Sequence, residues 1–578
     1  MSRQLMLFLV ILVLIPLTPS PNVNGIAPRN QLHVPTVLPE SHVSSQQPIR
    51  LIYRLSLNQS SADAGLVPVT ISFAPSYSST SFTMSPVGGW YDPIEVRDFT
   101  VMDSKGAELR FQYRREASNQ QSWTITMNEV SNITVHYTVY LRYFDPKTGA
   151  GGAYLGYLGS TFLLSGAGWI FLHPEGYSGS FEALFDLPPG WTAAVPWNRA
   201  GAGYVWSIGS DFPRSVVGLG TFRTTTVSLA GSNLTVAVHS AFSSSDSAQI
   251  LAFTQKAFPY VADLFGGSPL PSYVSVWVPK PNGNRIDFIE TYNGAGEAID
   301  GFGMNMMYSF LHRLVHTFNG FQPTGMGSQS DSERWFVEGC DVYYDSKIPY
   351  MFGYQHDLNW LIDYLRDYDG YYGTQSDGAV STTEPFSDRV LTLAYGKGSL
   401  VCFMLDSLIM RTTGGMRSLA GIMRRMYHQY GNYHGYYSTN DIQQIASEVS
   451  GFDMSKFFKL YIWGTSKLPV VFSMPSGVDV DWNQMQSDIG SIPGQPVTIS
   501  QETTSSRTEV TREQSAMLSS TYVSQTQSSF GSTSAVSTSV TKATTPSLPF
   551  IDIVTIAGAL VIVAISLLII RKRKAKRA

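Results

Sequence analysis

The segment MNMMYSFLHRLVHTFNG (304–320) contains the pattern from which the fold of this 578-residue chain can be inferred. Its apolar residues recur every three or four positions, which predicts an amphipathic helix. His312 and His316 stand four residues apart on that helix, so both imidazoles project from one face. This spacing allows two histidines to hold one zinc ion. A lone H-x-x-x-H remains weak evidence, because two helical histidines also recur by chance.

A second segment, WFVEGCDVYYD (335–345), supplies an acidic residue for the same site. Glu338 lies at the start of the next predicted helix, and its carboxylate completes a His, His, Glu set that leaves the fourth position of a tetrahedral zinc ion open. Asp341 follows one helical turn later. It has two possible roles, a carboxylate that orients a histidine or a solvated position on the helix face, and the solvated position is the commoner of the two.

The rest of the chain divides into two regions of different periodicity. In the first part polar and apolar residues alternate, as in NITVHYTVYLRYF (132–144), which predicts strands. Helical spacing then dominates and is interrupted by YVSVWVP (273–279), which predicts one strand. We therefore predict an all-β N-terminal domain over 46–243 and an α+β domain of helices on a small sheet over 244–470.

Both ends of the chain have targeting patterns. Arg3 precedes a short apolar run, which is typical of a signal peptide over 1–25. Residues 487–547 are rich in serine and threonine and predict a disordered stalk. An uncharged apolar run over 549–570 predicts one transmembrane helix, and RKRKAKRA (571–578) predicts a basic cytoplasmic tail. The expected location is the cell membrane, with the N-terminal ectodomain outside.

Composition narrows the possible functions. Hydrophobic residues make up 43% of the chain and charged residues 14%, which excludes a fully disordered chain. The net charge is −4, and because RKRKAKRA (571–578) contains six basic residues, the rest of the chain sums to −4 − 6 = −10, so nucleic-acid binding is not expected. Only Cys340 and Cys402 are present, which excludes a cysteine zinc cluster. They could form one bridge or remain thiols, and the apolar, helix-like runs around them favour buried thiols.

Taken together, the motifs resemble a known family. H-x-x-x-H, the later W-x-x-E-G and the run AYGKG (394–398) are similar to the glycyl aminopeptidase family of gluzincin metallopeptidases. SGFDMSKFFKLYIWGTSKLP (450–469) and FDLPPGWTAAVPW (185–197) resemble further segments of that family, so the resemblance spans about residues 46 to 470. It implies a β-rich domain followed by a thermolysin-like, gluzincin domain.

The resemblance also implies roles for individual residues. The zinc ligands would be His312, His316 and Glu338. Tyr395 matches the tyrosine that stabilises the oxyanion, although a core tyrosine is the simpler interpretation of that residue alone. Glu297, in GAGEA (294–298), matches the glutamate that binds the free amino group of a substrate. A loop carboxylate in a glycine-rich turn is the alternative for Glu297.

One position departs from the family pattern. Such enzymes have H-E-x-x-H, in which the glutamate deprotonates a zinc-bound water, whereas this chain has Arg313 there. Arginine cannot accept a proton, and its charge repels a metal unless Glu338 or Glu297 pairs with it. The sequence therefore predicts a pseudopeptidase that binds peptide or protein N-termini, and it leaves open whether zinc is kept.

Two other functions remain possible from the sequence. The chain could be an active zinc aminopeptidase that takes a substitute base from the loop with Asp331, Ser332 and Glu333. It could instead be a structural cell-surface protein with no ligand. A metal-free site in which Arg313 pairs with Glu338 is compatible with either a binding or a structural role.

Overall fold

The computed structural model describes residues 51–495, with gaps. The gaps are 85–94, 116–119, 142–155, 208–214, 269, 281–287, 292, 321–324, 329, 373–377, 385–386 and 475. The predicted signal peptide, transmembrane helix and cytoplasmic tail lie outside the described residues, as does most of the predicted stalk. Those assignments remain predictions.

The first part of the chain is built from strands, as predicted. Strands β1 to β15 are Leu51–Ser56, Leu66–Phe73, Ser79–Met84, Glu95–Asp103, Phe111–Arg115, Gln121–Thr126, Ile133–Tyr140, Tyr157–Leu158, Phe162–Gly166, His173–Pro174, Ser180–Asp186, Thr192–Ala194, Asn198–Ala200, Gly203–Ser207 and Val216–Gly220. They form a seven-stranded sheet, in the order β13-β14-β11-β1-β2-β7-β4, and two four-stranded sheets, β10-β3-β6-β5 and β12-β15-β9-β8.

The alternation in the sequence corresponds to alternating burial in these sheets. On β7, Ile133, Val135, Tyr137 and Val139 are at most 2% exposed, while the residues between them are only partly buried. Successive side chains of a strand point to opposite faces, so one apolar face packs into the core. This confirms the predicted all-β character of the N-terminal domain, which consists of three sheets among the described residues.

The second part combines a smaller sheet with helices. Strands β16 to β24 are Phe222–Leu229, Ser232–His239, Ser272–Pro279, Phe288–Thr291, Gly294–Ile299, Gly327–Ser328, Tyr436–Tyr437, Val470–Val471 and Asp479–Val480. Five of them form a sheet in the order β16-β17-β18-β20-β19. Helix α1, Gln59–Ala64, and the 3-10 helix Ala167–Trp169 lie in the first part of the chain. Helices α2 to α11 lie in the second part and are Ser244–Leu264, Met304–Asn319, Arg334–Met351, Asn359–Tyr371, Asp388–Leu391, Gly398–Thr412, Leu419–Tyr430, Thr439–Ser450, Ser455–Phe457 and Trp482–Ile489. Short 3-10 helices there cover Asp331–Glu333 and Gly431–Tyr433, and π-helical runs cover Thr392–Lys397 and Phe458–Ile462.

Both predicted boundaries of the second domain shift. Strand β17 pairs in parallel with β18, so the sheet of the second domain begins at Phe222 and not at residue 244. Alternation in sequence continues through this point, and periodicity alone does not reveal which sheet a strand joins. At the other end, Ile489 and Ile492 are buried in the core of the second domain. The folded domain therefore continues past residue 470 and past residue 487, the predicted start of the stalk.

Helices α4 and α7 pack closely in the centre of the second domain. A Cβ atom on Gly339 would lie 2.6 Å from the carbonyl carbon of Gly398, so only glycine allows this approach. Cys340 and Cys402 lie next to these glycines and form a disulfide, with Cα atoms 5.4 Å apart. The expectation of two buried thiols is therefore wrong, because apolar surroundings suit a bridge as well as a thiol.

One helical run among the described residues, Arg389–Thr412, is long and apolar enough to cross a membrane. Within the fold 89% of its most apolar window is buried. It includes α7, which packs against α4, so its hydrophobicity is explained by its place in the core.

Candidate metal centre

The three predicted metal ligands lie together between α3 and α4. The Nε2 atoms of His312 and His316 are 3.1 Å apart. The Oε2 atom of Glu338 lies 3.2 Å from Nε2 of His316 and 3.7 Å from Nε2 of His312. All the possible ligand atoms lie within 4.8 Å of one another. The three side chains thus converge on one point. For the two histidines this is what their spacing of four residues on α3 predicts.

Two buried carboxylates fix the orientation of both imidazoles. Asp345 Oδ2 lies 2.9 Å from Nδ1 of His312, and Asp341 Oδ2 lies 2.8 Å from Nδ1 of His316. An Nδ1–H group that donates to a carboxylate leaves the Nε2 lone pair available to a metal. Asp341 is completely buried, so the solvated position favoured from the sequence is wrong and the orienting role is the one that the geometry supports.

Sequence analysis missed Asp345 and Asn319. Glu338, Asp341 and Asp345 are spaced at i, i+3 and i+7 on α4, which places all three on one face, and this periodicity was the available signal. Asn319 continues the histidine row of α3 by one more turn. Its Nδ2 donates to Oδ1 of Asp341 at 2.9 Å and to two carbonyl oxygens of α4. Asn319 therefore holds Asp341 in place and links α3 to α4.

Burial and neighbouring charges shift the pKa values of the cluster in different directions. Burial lowers the pKa of His312 well below its ordinary value. Burial acts in the same direction on His316, but the carboxylates of Asp341 and Glu338 outweigh it and raise the His316 pKa well above its ordinary value. Burial raises the pKa of Asp341 to about 6, against the influence of His316. Two imidazoles and one carboxylate form a donor set that fits zinc, and a bound divalent cation would be stabilised by the carboxylates of Asp341 and Asp345 behind the imidazoles.

Tyr395 lies beside the cluster, as the resemblance implies. It belongs to the π-helical run Thr392–Lys397, and its ring stacks near that of His312 with centroids 6.1 Å apart. Its hydroxyl hydrogen-bonds to Glu338, and burial followed by the charge of Glu338 raises its pKa well above the ordinary value. At neutral pH Tyr395 is thus a protonated hydrogen-bond donor.

Arg313 is half-buried, and its charge contributes to lowering the pKa values of His312 and Glu338. Burial works to raise the pKa of Glu338, but His316, Tyr395 and Arg313 together outweigh burial and lower the pKa, with Arg313 contributing least. Glu338 lies 3.2 Å from His316 and 3.7 Å from His312, and it accepts a hydrogen bond from Tyr395. These contacts support a metal-binding role for Glu338.

Glu297 lies on strand β20 and not in a glycine-rich turn. It is 1% exposed, and Oγ of Ser309 donates a 2.7 Å hydrogen bond to its Oε2. Ser309 precedes Arg313 by one turn of α3, so both side chains start from the same face of the helix. The structure therefore brings Glu297 to the helix that contains the histidines.

The candidate substitute bases have other contacts. Asp331 forms an ion pair with Arg334 at 2.7 Å. Glu333 is buried, accepts from the backbone nitrogen of Ser330 at 2.9 Å, and accepts from Thr439 at 3.1 Å. Its carboxylate completes the capping box of the 3-10 helix Asp331–Glu333 and fastens that segment to α9.

No family model and no curated protein matches this sequence. The fold is similar to that of an aminopeptidase N family protein from Idiomarina loihiensis, with a TM-score of 0.58 and 16% identity over 72% of this chain and 76% of that chain. An M1 zinc metallopeptidase from Deinococcus radiodurans matches with a TM-score of 0.46 and 14% identity over 73% of this chain and 95% of that chain. At such identities only the fold follows: this chain has the β-plus-helical architecture of aminopeptidase N family proteins.

Proposed function

We propose that this chain is a membrane-anchored pseudopeptidase whose ectodomain binds one zinc ion and the amino end of a peptide or protein without hydrolysing it. The proposal depends on one contrast within helix α3. His312 and His316 converge with Glu338, and carboxylates orient both imidazoles. Between the two histidines, Arg313 occupies the position at which hydrolysis requires a base.

A zinc ion held by these three ligands would supply a Lewis acid that polarises a bound carbonyl. The surrounding side chains bind and orient the ligand. Glu297, held by Ser309, presents a carboxylate to an ammonium group. The protonated hydroxyl of Tyr395 donates a hydrogen bond to a ligand oxygen. The guanidinium of Arg313 cannot take a proton from water, so the ligand is bound but not cleaved.

The membrane anchor is the part of the proposal that rests on sequence alone. The apolar run over 549–570 and the basic tail over 571–578 support one span with the ectodomain outside. Protease added to intact cells should remove the ectodomain and leave a C-terminal tag on the tail intact. Degradation of the tag, or protection of the whole chain, would contradict this topology.

The central test uses the purified full-length chain in detergent. Elemental analysis should find about one zinc ion per chain, and His312→Ala should lose it. Peptides should bind the zinc-loaded protein, while release of their N-terminal residues stays at background. Arg313→Glu restores the missing base, which is worth roughly 10²–10⁴-fold in rate, and should give measurable zinc-dependent hydrolysis.

The outcomes separate the three functions left open by the sequence. Zinc-dependent hydrolysis by the unmodified chain would establish an active aminopeptidase, although the described contacts of Asp331 and Glu333 give that function no support. Absence of both zinc and peptide binding in folded protein would leave a structural role. A folded, zinc-loaded Arg313→Glu protein without activity would show that more than the base is missing.

A further inference from the structure

We propose that the ectodomain carries N-linked glycans on Asn58, Asn132 and Asn233. Each of these asparagines begins an Asn-x-Ser/Thr sequence, the acceptor sequence for this modification in exported proteins, and the chain contains no fourth one. The modification depends on the export of the ectodomain that is part of the proposed function. It goes beyond peptide binding, because all three residues lie outside the helices that hold the metal centre.

All three asparagines are exposed, although a neighbouring residue of two of them is part of the core. Ile133, directly after Asn132, is 1% exposed, and Leu234, directly after Asn233, is completely buried. Successive side chains of a strand point to opposite faces. On β17 the burial of Leu234 therefore turns Asn233 to the solvent, and at the start of β7 Ile133 anchors the chain beside Asn132.

The amide oxygens of two of these asparagines make hydrogen bonds that a glycan would not disturb. Asn58 Oδ1 accepts from the backbone nitrogen of Ser61 at 2.9 Å and caps helix α1. Asn233 Oδ1 accepts from Oγ of Ser228 at 2.7 Å. A glycan is attached through the amide nitrogen, Nδ2, so both hydrogen bonds remain in the modified protein.

The hydroxyl residue two positions later completes each acceptor sequence at the surface. It is Ser60, Thr134 or Thr235, and none of the three is buried. Side chains two residues apart on a strand share a face, so Thr235 lies beside Asn233 on β17. Its hydroxyl is 2.9 Å from that of Thr226, which is exposed. The amide and the hydroxyl that a glycosyltransferase must contact are thus on the same polar surface.

The reaction is a group transfer from a lipid-linked oligosaccharide, catalysed by a membrane-bound transferase of the cell. Nδ2 of the asparagine forms a bond to the anomeric carbon of the first sugar. The bond between that carbon and the phosphate oxygen of the lipid carrier breaks, and the lipid phosphate leaves with the bonding electron pair. One amide proton is lost to a base of the transferase, so a neutral secondary amide remains on the protein.

The test uses the full-length chain purified from the membranes of the cells that naturally produce it. Mass spectrometry of its proteolytic peptides should find an oligosaccharide on each peptide that contains one of the three asparagines. Identification at the level of peptides separates these glycans from any sugar on the serines and threonines of the predicted stalk.

Matched variants remove one acceptor sequence at a time without changing its asparagine. Ser60→Ala, Thr134→Val and Thr235→Val should each abolish the glycan at the corresponding asparagine and leave the other two sites modified. Thr235→Ser is the conservative control and should keep the glycan on Asn233, because the hydroxyl is retained. Zinc content, measured by elemental analysis, should equal that of the parent chain in every variant, since none of the substitutions lies on α3 or α4.

The outcomes separate the glycosylation from the proposed function. An ectodomain that added protease removes from intact cells, but whose asparagines lack glycans, would overturn the glycosylation, site by site, and leave peptide binding intact. A glycan that survives the loss of its own hydroxyl residue would show attachment outside the acceptor sequence and would also overturn it. An ectodomain that is protected from protease and unmodified would contradict both the topology and the glycosylation.

Discussion

Helices α3 and α4 supply the candidate metal centre from opposite sides, and they differ in how completely each one matches the catalytic residues of the family pattern. On α4, Glu338 faces the metal position, and Asp341 and Asp345 each support one histidine. On α3, both histidines are in place, but Arg313 stands between them. The candidate metal ligands and their orienting carboxylates are therefore present on both helices, and among the candidate site residues the departure from the family pattern lies at Arg313.

The difference also shows in how the two helices are held. Helix α4 is buried on nearly all sides, and the disulfide and the ion pair between Lys347 and Asp406, at 2.7 Å, both fasten it to α7. Helix α3 contacts α4 through polar groups, including Asn319. Buried charges cost free energy unless they are paired. The support of the metal site thus depends on keeping the α4 carboxylates opposite their α3 partners.

The largest expected effect comes from releasing α4. Replacing Cys340 and Cys402 together by alanine removes a cross-link between residues 62 apart, which is worth about 4 kcal/mol in the chain-entropy account. The free energy of unfolding of the ectodomain, measured by denaturant titration of the metal-free protein, should fall by about that amount. Zinc affinity should fall as well, because Glu338 lies two residues before Cys340.

The two consequences of that change can be told apart. Reduced stability with unchanged zinc affinity would show that α4 keeps its position without the disulfide, and it would contradict the proposed coupling. A chain reduced with dithiothreitol under native conditions is the matched comparison, since it lacks the disulfide without any substitution.

Short-range periodicity accounts for what could be predicted. His312, His316 and Glu338 were identified because a helix repeats every 3.6 residues and the motif stays within two neighbouring helices. Asp345 has the same periodicity but was missed, because its role depends on the depth at which α4 is buried, and a spacing does not report depth. The pairing of Cys340 with Cys402 was missed for a similar reason, since it depends on how closely α4 and α7 approach.

Long-range packing accounts for the remaining differences. The glycines around Glu297 suggested a turn, yet a Cβ atom on Gly294 would lie 2.4 Å from Val216, and one on Gly296 would lie 2.4 Å from Leu164. These glycines allow β20 to pack under the neighbouring sheet, so their purpose is close contact and not a change of chain direction. The assignment of β17 to the second sheet likewise rests on its pairing with β18, which is distant in sequence.

The second prediction separates the two orienting carboxylates. Asp345→Asn and Asp341→Asn keep the shape of each side chain but weaken its hold on the histidine, and loss of such a partner costs roughly 10- to 100-fold in metal affinity. Competition with a chromophoric chelator would measure zinc affinity for each variant. We expect Asp341→Asn to have the larger effect, since Asp341 also accepts from Asn319. Asp363→Asn, at an exposed position that pairs with Arg366, is the control and should bind zinc as the unmodified chain does.

The smallest expected effect is in the pH dependence of zinc binding. Burial alone would lower the His316 pKa, but Asp341 and Glu338 raise it well above its ordinary value, so in metal-free protein His316 binds a proton that zinc must displace. Zinc affinity should then keep rising by about tenfold per pH unit up to pH 8, whereas with an ordinary histidine, whose pKa is about 6.5, the rise would level off within about one pH unit above that value. His312 adds nothing to this slope, because its pKa is lowered and it is neutral throughout.

The measurement is chelator competition between pH 6.5 and 8. Asp341→Asn removes the largest of the contributions that raise the His316 pKa, so its affinity should level off at a lower pH. An unmodified chain whose affinity is flat over this range would show that the α4 carboxylates do not hold a proton on α3, and that the two helices are coupled through the metal alone.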